Sequence, residues 1–191
     1  MKNKITSRPT ERMHNNAFIF MTWIFKIMDF FFPYIDKRIR KFNIKKGDIV
    51  VDYGCGPGRY SIRFSALVGA EGKVYAVDIH ELAIKEVYKK IEKNNLKNID
   101  PIHAKGHDSG NYDCGLPEKI ADMVCALDMF FVIKEPALFL AEINRILKDS
   151  GIFILDDGHQ SRQKTKNKLH DSGLFQIIEE TKDHIKLKKK L

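Results

Sequence analysis

Apolar and polar positions change period along this chain, and each change marks an element. From about Asn16 to Phe32 nearly every position is apolar, interrupted only by Thr22, Lys26 and Asp29 before Pro33. These polar positions form a narrow stripe on an otherwise apolar helix, which must be covered on most sides, with Pro33 marking its end or a kink. An ordinary amphipathic piece follows, with Ile35, Ile39 and Phe42 on one face and Lys37, Arg38, Arg40 and Lys41 on the other. After Gly47 the pattern becomes short β-rich runs separated by helical spacings. Ile49 to Val51, Val74 to Val77, Ile99 to His103, Met123 to Leu127 and Ile152 to Leu155 read as strands. Tyr60 to Val68, Glu81 to Asn94 and Pro136 to Leu147 read as the helices that separate them. Such alternation predicts an α/β fold with a doubly wound, mostly parallel sheet. Leu174 to Glu180 and His184 to Lys190 are strand-like runs around Thr181-Lys182-Asp183, an antiparallel hairpin that brings the sheet to seven strands. The chain thus divides into a polar arm with an apolar helical extension, residues 1–41, and an α/β domain, residues 42–191.

Composition adds limits. A length of 191 residues suits one such domain, and a hydrophobic content of 43% rules out a disordered chain. The net charge is +8, with basic residues crowded from Asp36 to Lys46 and at Lys186, Lys188, Lys189 and Lys190. A solvated basic surface accounts for this, and nucleic acid or an anionic membrane surface are the alternatives. Three cysteines without a CxxC pair argue against a disulfide framework and fit a reducing cytoplasm. His103 and His107 fall in a loop and make no metal site. The apolar run Ala17 to Ile35 is broken well short of the roughly 20 residues of a membrane span, and no cleavage site follows it. A soluble cytoplasmic protein is expected, with peripheral membrane contact left open.

The chemistry concentrates at Val50-Val51-Asp52-Tyr53-Gly54-Cys55-Gly56-Pro57-Gly58, which joins a strand to a helix. Gly54 can take a positive φ, and Gly56 and Gly58 keep side chains away from a ligand lying on backbone. In a doubly wound fold this first turn is where nucleotide-like cofactors bind. A dinucleotide fingerprint would need its third glycine at Arg59, which is absent, and no phosphate-loop motif occurs. A carboxylate at the loop entrance, Asp52, suits a cationic sulfonium cofactor with an amino-acid tail better than it suits a pyrophosphate. Asp78 can accept both ribose hydroxyls. The loop therefore points to S-adenosylmethionine, with S-adenosylhomocysteine as product.

Asp52-x-Gly54-x-Gly56-x-Gly58, Asp78, Ala121-Asp122-Met123-Val124 running into Leu127-Asp128, and Ile143 to Gly151 together resemble a class I (Rossmann-like) methyltransferase. The resemblance spans roughly residues 42–191 and is nearest to the small-molecule, quinone-biosynthesis type. It implies that Asp52, Gly54 and Gly56 line the methionine end of the cofactor, with Cys55, Gly58 and Leu127 also among the cofactor-binding residues. Asp78 would hold the ribose and Ile79 would pack on the adenine. The family's adenine-contacting aspartate lies shortly before a Leu-Pro pair. Here Leu116-Pro117 follows a longer loop, in which Asp108, Asn111 or Asp113 can serve and Asp108 is the choice.

Methyl transfer from a sulfonium is an in-line displacement that needs positioning more than a fixed catalytic group. Asp128 after the fourth strand and His159 after the fifth stand where a base or substrate contact is useful. The chain lacks an Asp/Asn-Pro-Pro-aromatic sequence after the fourth strand, which disfavours amino methylation of nucleic acid. A small apolar or aromatic acceptor is expected. RNA or protein methylation and non-catalytic cofactor binding are the alternatives. The apolar helix is expected to act as a lid over the sheet edge; ordinary core, a dimer contact or a membrane-surface role compete with that reading.

Overall fold

The computed structural model describes residues 11–31, 34–104 and 112–190. Seven strands, β1 (Ile49–Tyr53), β2 (Lys73–Asp78), β3 (Ile99–His103), β4 (Ala121–Ala126), β5 (Leu147–Leu155), β6 (Phe175–Glu180) and β7 (Ile185–Lys189), form one sheet. Their order across the sheet is β3-β2-β1-β4-β5-β7-β6. The first five run parallel, and β7 inserts antiparallel between β5 and β6, as the terminal hairpin predicted. Among the described residues the helices are α1 (Asn15–Phe31), α2 (Tyr34–Ile39), α3 (Ser61–Val68), α4 (Glu81–Asn94), α5 (Pro136–Ile146) and α6 (Arg162–Ser172), with short 3-10 turns at Arg40–Phe42 and Phe130–Val132.

Strand alternation sorts side chains into two cores, because successive residues point to opposite faces of a sheet. Val51, Val124 and Phe153 join Phe139, Leu140, Ile143 and Leu169 on the face covered by α5 and α6. Val50, Cys125 and Ile154 join Ile35, Ile39, Phe64, Val68 and Val87 on the face covered by α2, α3 and α4. Both faces are buried, as a parallel sheet requires.

Three elements depart from the pattern reading. Helix α6 was not expected: Leu169 is its one strongly apolar residue, and with Thr165 it forms the buried stripe. Its end signals are local, with Ser161 accepting from the Lys164 amide and Gly173 in the left-handed region. Strand β5 begins at Leu147, immediately after α5, with a register irregularity between its pairings to Ala121 and Met123. The basic face assigned to α2 is divided, because Arg38 is buried whereas Lys37 and Arg40 are exposed. Ile35 and Ile39 share a cluster with Phe42, so only α1 stands outside the two cores.

Strand order reverses its direction between β1 and β4, opening a crevice at their carboxyl ends. Phe139 supports the floor of that crevice, meeting Tyr53 and Tyr112 edge-on at 5.2 and 5.7 Å and Phe130 at 5.8 Å. Phe139→Ala should lower stability by about 3–5 kcal/mol in urea unfolding. A loss below about 1 kcal/mol would show that these rings collapse onto the gap.

Candidate functional site

The carboxyl ends of β1, β2, β4 and β5 carry the site because the parallel sheet delivers them to one edge. After β1 the chain turns at Gly54, whose φ is +80°, and a Cβ there would lie 2.8 Å from Met129. The amides of Gly54 and Cys55 both donate to the Val77 carbonyl, stitching the loop to β2. Gly56, with φ +52°, has open space where a Cβ would stand. Its amide donates to Asp78 Oδ2 at 2.8 Å, while Asp78 Oδ1 accepts from the His80 amide at 2.7 Å. Asp78 therefore fixes the loop as well as facing the cavity, and a carboxylate has capacity for further donors. Gly58 serves packing: a Cβ there would come within 3.0 Å of Val87.

Two cavities adjoin this loop. The first, of 180 Å³, is lined by Tyr53, Gly54, Gly56, Asp78, Ile79 and His80 from the sheet side and closed by Glu11, Arg12, Met13, Phe18 and Met21. Glu11 pins the closing segment by accepting from Tyr112 Oη at 2.7 Å and the Lys134 amide at 2.8 Å. Phe18 stacks on the His80 ring at 4.4 Å. The second cavity, of 500 Å³, is bounded by Met21, Phe25, Met28, Tyr34, Tyr60 and Phe131 and reaches His159 at its rim. Met13, Met21, Asp128 and Phe131 line both.

Of the residues expected here, Gly54, Gly56, Asp78 and Ile79 meet at the first cavity, and Asp128 and His159 at the second. His159 packs edge-on against Phe131 at 4.9 Å. Asp52, Cys55 and Leu127 are all buried and line neither cavity. The Asp52 carboxylate instead accepts from Ser61 Oγ beneath the loop, and Cys55 and Leu127 pack in the core under α3 and α4. Asp108 and Asn111 lie outside the described residues. Asp113 is held on the surface by Arg145 at 3.2 Å and by the Gly115 amide.

A buried cation not anticipated from the sequence organises the second cavity. Arg38 Nη1 donates to Tyr60 Oη at 2.6 Å, and Nη2 donates to Asp156 Oδ2 and to the Asp183 carbonyl. The Asp128 carboxylate stands 3.7 Å from Nη1 and accepts from Tyr60 Oη at 3.3 Å. Asp156 also receives the Asp128 amide on both oxygens, at 2.9 and 3.1 Å. These contacts hold Asp128 at φ +58°, a conformation that costs a non-glycine residue energy. Burial pushes the Asp156 carboxyl up to about 6, with the Asp128 charge adding to it and Arg38 opposing it. The hint in the sequence was Asp156 itself, directly following its strand much as Asp78 ends β2. The clustered lysines of the tail are part of the sheet: Lys186 pairs with Glu179 at 2.8 Å and Lys189 with Asp149 at 3.4 Å.

A family profile described as a methyltransferase domain matches residues 44–190. The chain is 28% identical over 116 residues to a demethylmenaquinone methyltransferase of Geobacillus stearothermophilus, covering 61% of this chain and 47% of that protein. It is 36% identical over 110 residues to a ribosomal protein L11 methyltransferase of Caldanaerobacter subterraneus, covering 56% of this chain and 34% of that protein. The chain therefore spans less than half the length of these curated relatives. Among solved structures, a SAM-dependent methyltransferase from Aquifex aeolicus aligns with a TM-score of 0.67 at 26% identity over 80% of this chain and 86% of that one. A Methanococcus maripaludis protein shares the fold over 100% of this chain and 96% of its own, with a TM-score of 0.70 at 19% identity.

The burial of Asp52 has a consequence for stability. Loss of solvation pushes its carboxyl up to about 7, against which the Ser61 hydrogen bond acts in the other direction. A folded-state value above the unfolded one favours the protonated fold, so the contribution of Asp52 to stability is greatest at low pH and falls as pH rises from about 4 through 7. Asp52→Asn keeps an acceptor for Ser61 but does not titrate. Its melting temperature relative to the unsubstituted protein should rise between pH 4 and pH 8 by at least one pKa unit's equivalent. That is about 1.4 kcal/mol, or roughly 3–6 °C. Parallel melting profiles for the two proteins would show that Asp52 is solvated as an ordinary carboxylate.

Proposed function

This chain belongs to the methyltransferase-domain family, and we propose that with S-adenosylmethionine as cofactor it methylates a small apolar or aromatic acceptor held beneath α1. The observation that carries the reading is the position of Asp128 at the junction of two cavities, the second of which adds the charged Arg38, Arg59, Asp156 and Asp157 to an apolar wall. One is walled by the glycine turn and Asp78, the other by Met21, Phe25, Met28, Tyr34 and Phe131.

The residues present fit the cofactor. Gly54 and Gly56 form a backbone cradle that side chains would fill or strain, and Asp78 offers a carboxylate to vicinal hydroxyls. Ile79 provides an apolar surface for an aromatic base. When bound, S-adenosylmethionine supplies an electrophilic methyl group on a sulfonium centre. Asp128 is half-exposed toward both cavities, so its carboxylate is the group in reach of an acceptor proton and can take it as the acceptor attacks. Tyr60 and Arg38 hold that carboxylate in one orientation, which favours a near-attack geometry. Met21, Phe25 and Phe131 exclude water from the acceptor. His159, at the rim, contacts the acceptor's outer end.

Helix α1 acts as the lid. Its inward residues belong to neither core, and Phe18 and Thr22 are its buried members among the described residues. At 180 Å³ the first cavity is below the roughly 300–1,000 Å³ of ligand pockets. Admission of the whole cofactor therefore requires Glu11 to Met21 to move outward, a gating step of the kind that lids perform.

S-adenosylhomocysteine at about a hundred times its dissociation constant should add roughly 2.7 kcal/mol of stability, about 5–11 °C in melting temperature. A shift with NADH and none with S-adenosylhomocysteine would reverse the cofactor assignment. A chain beginning at Tyr34 should stay folded, bind S-adenosylhomocysteine and lose transfer to phenolic and quinol acceptors; insolubility would make α1 part of the core. Asp128→Asn should retain S-adenosylhomocysteine binding within a few-fold and lower kcat by about 10²–10⁴-fold. An unchanged kcat would remove Asp128 as the base.

A further inference from the structure

The pattern reading required α1 to be covered on most sides, and the structure leaves one side open. Phe18, Met21, Thr22 and Phe25 face the cavities and α4, whereas Ile19, Phe20, Trp23 and Ile27 are exposed at 58, 63, 60 and 41%. At about 100° per residue these four occupy a single arc of roughly 100°, whose Ile19 and Trp23 edge borders the groove against α4. Phe20 and Trp23 lie nearly parallel with ring centres 6.5 Å apart, so the arc presents a continuous aromatic surface. A patch of this kind on a helix that also forms the wall of a cavity marks a contact site rather than scattered surface apolarity.

Charge selects the occupant. Residues 1–41 carry nine lysines and arginines against three acidic residues, a surplus of six within a chain of net charge +8. Arg12 precedes α1 and is exposed, as are Lys37, Arg40 and Lys41 after it. Lys85 and Lys89 of α4 border the groove beside Trp23, each paired with a glutamate of the same helix. Lys41 pairs with Asp183, whereas Lys37 and Arg40 add exposed positive charge, and an apolar helical face within so basic a segment complements a surface that is anionic at the headgroups and apolar just beneath. Among the described residues no helix is long and apolar enough to cross a membrane, so α1 would lie in the interface plane.

We propose that the outward face of α1 docks on a phospholipid bilayer containing anionic lipid, inserting Ile19, Phe20, Trp23 and Ile27 among the headgroups. The contact stands independently of methyl transfer. On the acceptor reading above, it would also turn the lid toward the phase in which an apolar acceptor dissolves.

Trp23 is the chain's single tryptophan, so its emission reports this face alone. The full-length protein should show a blue shift with phosphatidylglycerol/phosphatidylcholine vesicles at about 1 mM lipid and should float with them. Brominated phosphatidylcholine included in those vesicles should quench the emission. Raising salt to roughly 0.5 M should weaken binding about tenfold or more, because the cations are exposed. Phe20→Ser with Ile27→Ser should abolish the shift while S-adenosylhomocysteine binding and melting temperature stay unchanged. The proposal is overturned by the absence of shift and flotation with anionic vesicles, or by equal binding to pure phosphatidylcholine. It is equally overturned by undiminished binding of the double variant, or by a lipid-free blue shift that grows with protein concentration alongside a dimer mass in sedimentation. That last result would assign the face to a second copy.

Discussion

A guanidinium removed from water must have its charge met, and the way Arg38 meets this requirement determines how the carboxyl edge is assembled. Its partners come from four places: Tyr60 at the start of α3, Asp128 after β4, Asp156 after β5 and the Asp183 carbonyl in the terminal hairpin. Isolated, such a cation would be prohibitively costly in the interior, and removing one partner of a buried pair is destabilising by about 3–5 kcal/mol. The cluster therefore locks segments far apart in sequence into one arrangement.

The two cavities follow from different physics applied at one edge. The first exists because glycines in the left-handed region leave backbone without side chains at its wall and because Asp78 holds that backbone against β2. The second exists because apolar side chains of α1, α2 and the turn after β4 converge on the Arg38 cluster without filling the space above it. Asp128 belongs to both, and its strained backbone is maintained by the Asp156 carboxylate that receives its amide. Strain at such a position persists only where surrounding contacts over-determine it. Helix α1 lines both cavities with one face and exposes Ile19, Phe20, Trp23 and Ile27 on another.

Much of this was legible residue by residue. The run Val50-Val51-Asp52 followed by three alternating glycines identified the loop, because positive-φ turns and short β-rich runs are dictated by local sterics. Asp78 and Ile79 could be placed at the sheet edge, where they line the first cavity, because the end of a strand reaches that edge whatever its neighbours do. Asp52 shows where this reasoning stops: its position beside the loop followed from the sequence, but burial against Ser61 turned its side chain away from the cavity. Helix α6 went unread because Leu169 and Thr165 give too little apolar period to stand out from a polar background.

By itself the sequence determined the alternation of strands and helices, the antiparallel hairpin, the glycine turn and the apolar excess of α1. Each depends on contacts within a few residues or on the conformational limits of one residue type. Only the tertiary structure decided that Arg38 is buried, that Tyr60, Asp128 and Asp156 gather around it, and which arc of α1 remains uncovered. Partner choice for a buried charge is a long-range matter, linking positions 22, 118 and 145 residues apart in the chain. No local period encodes such pairings. They are decided by which cation and which carboxylates the folded sheet brings together out of reach of water.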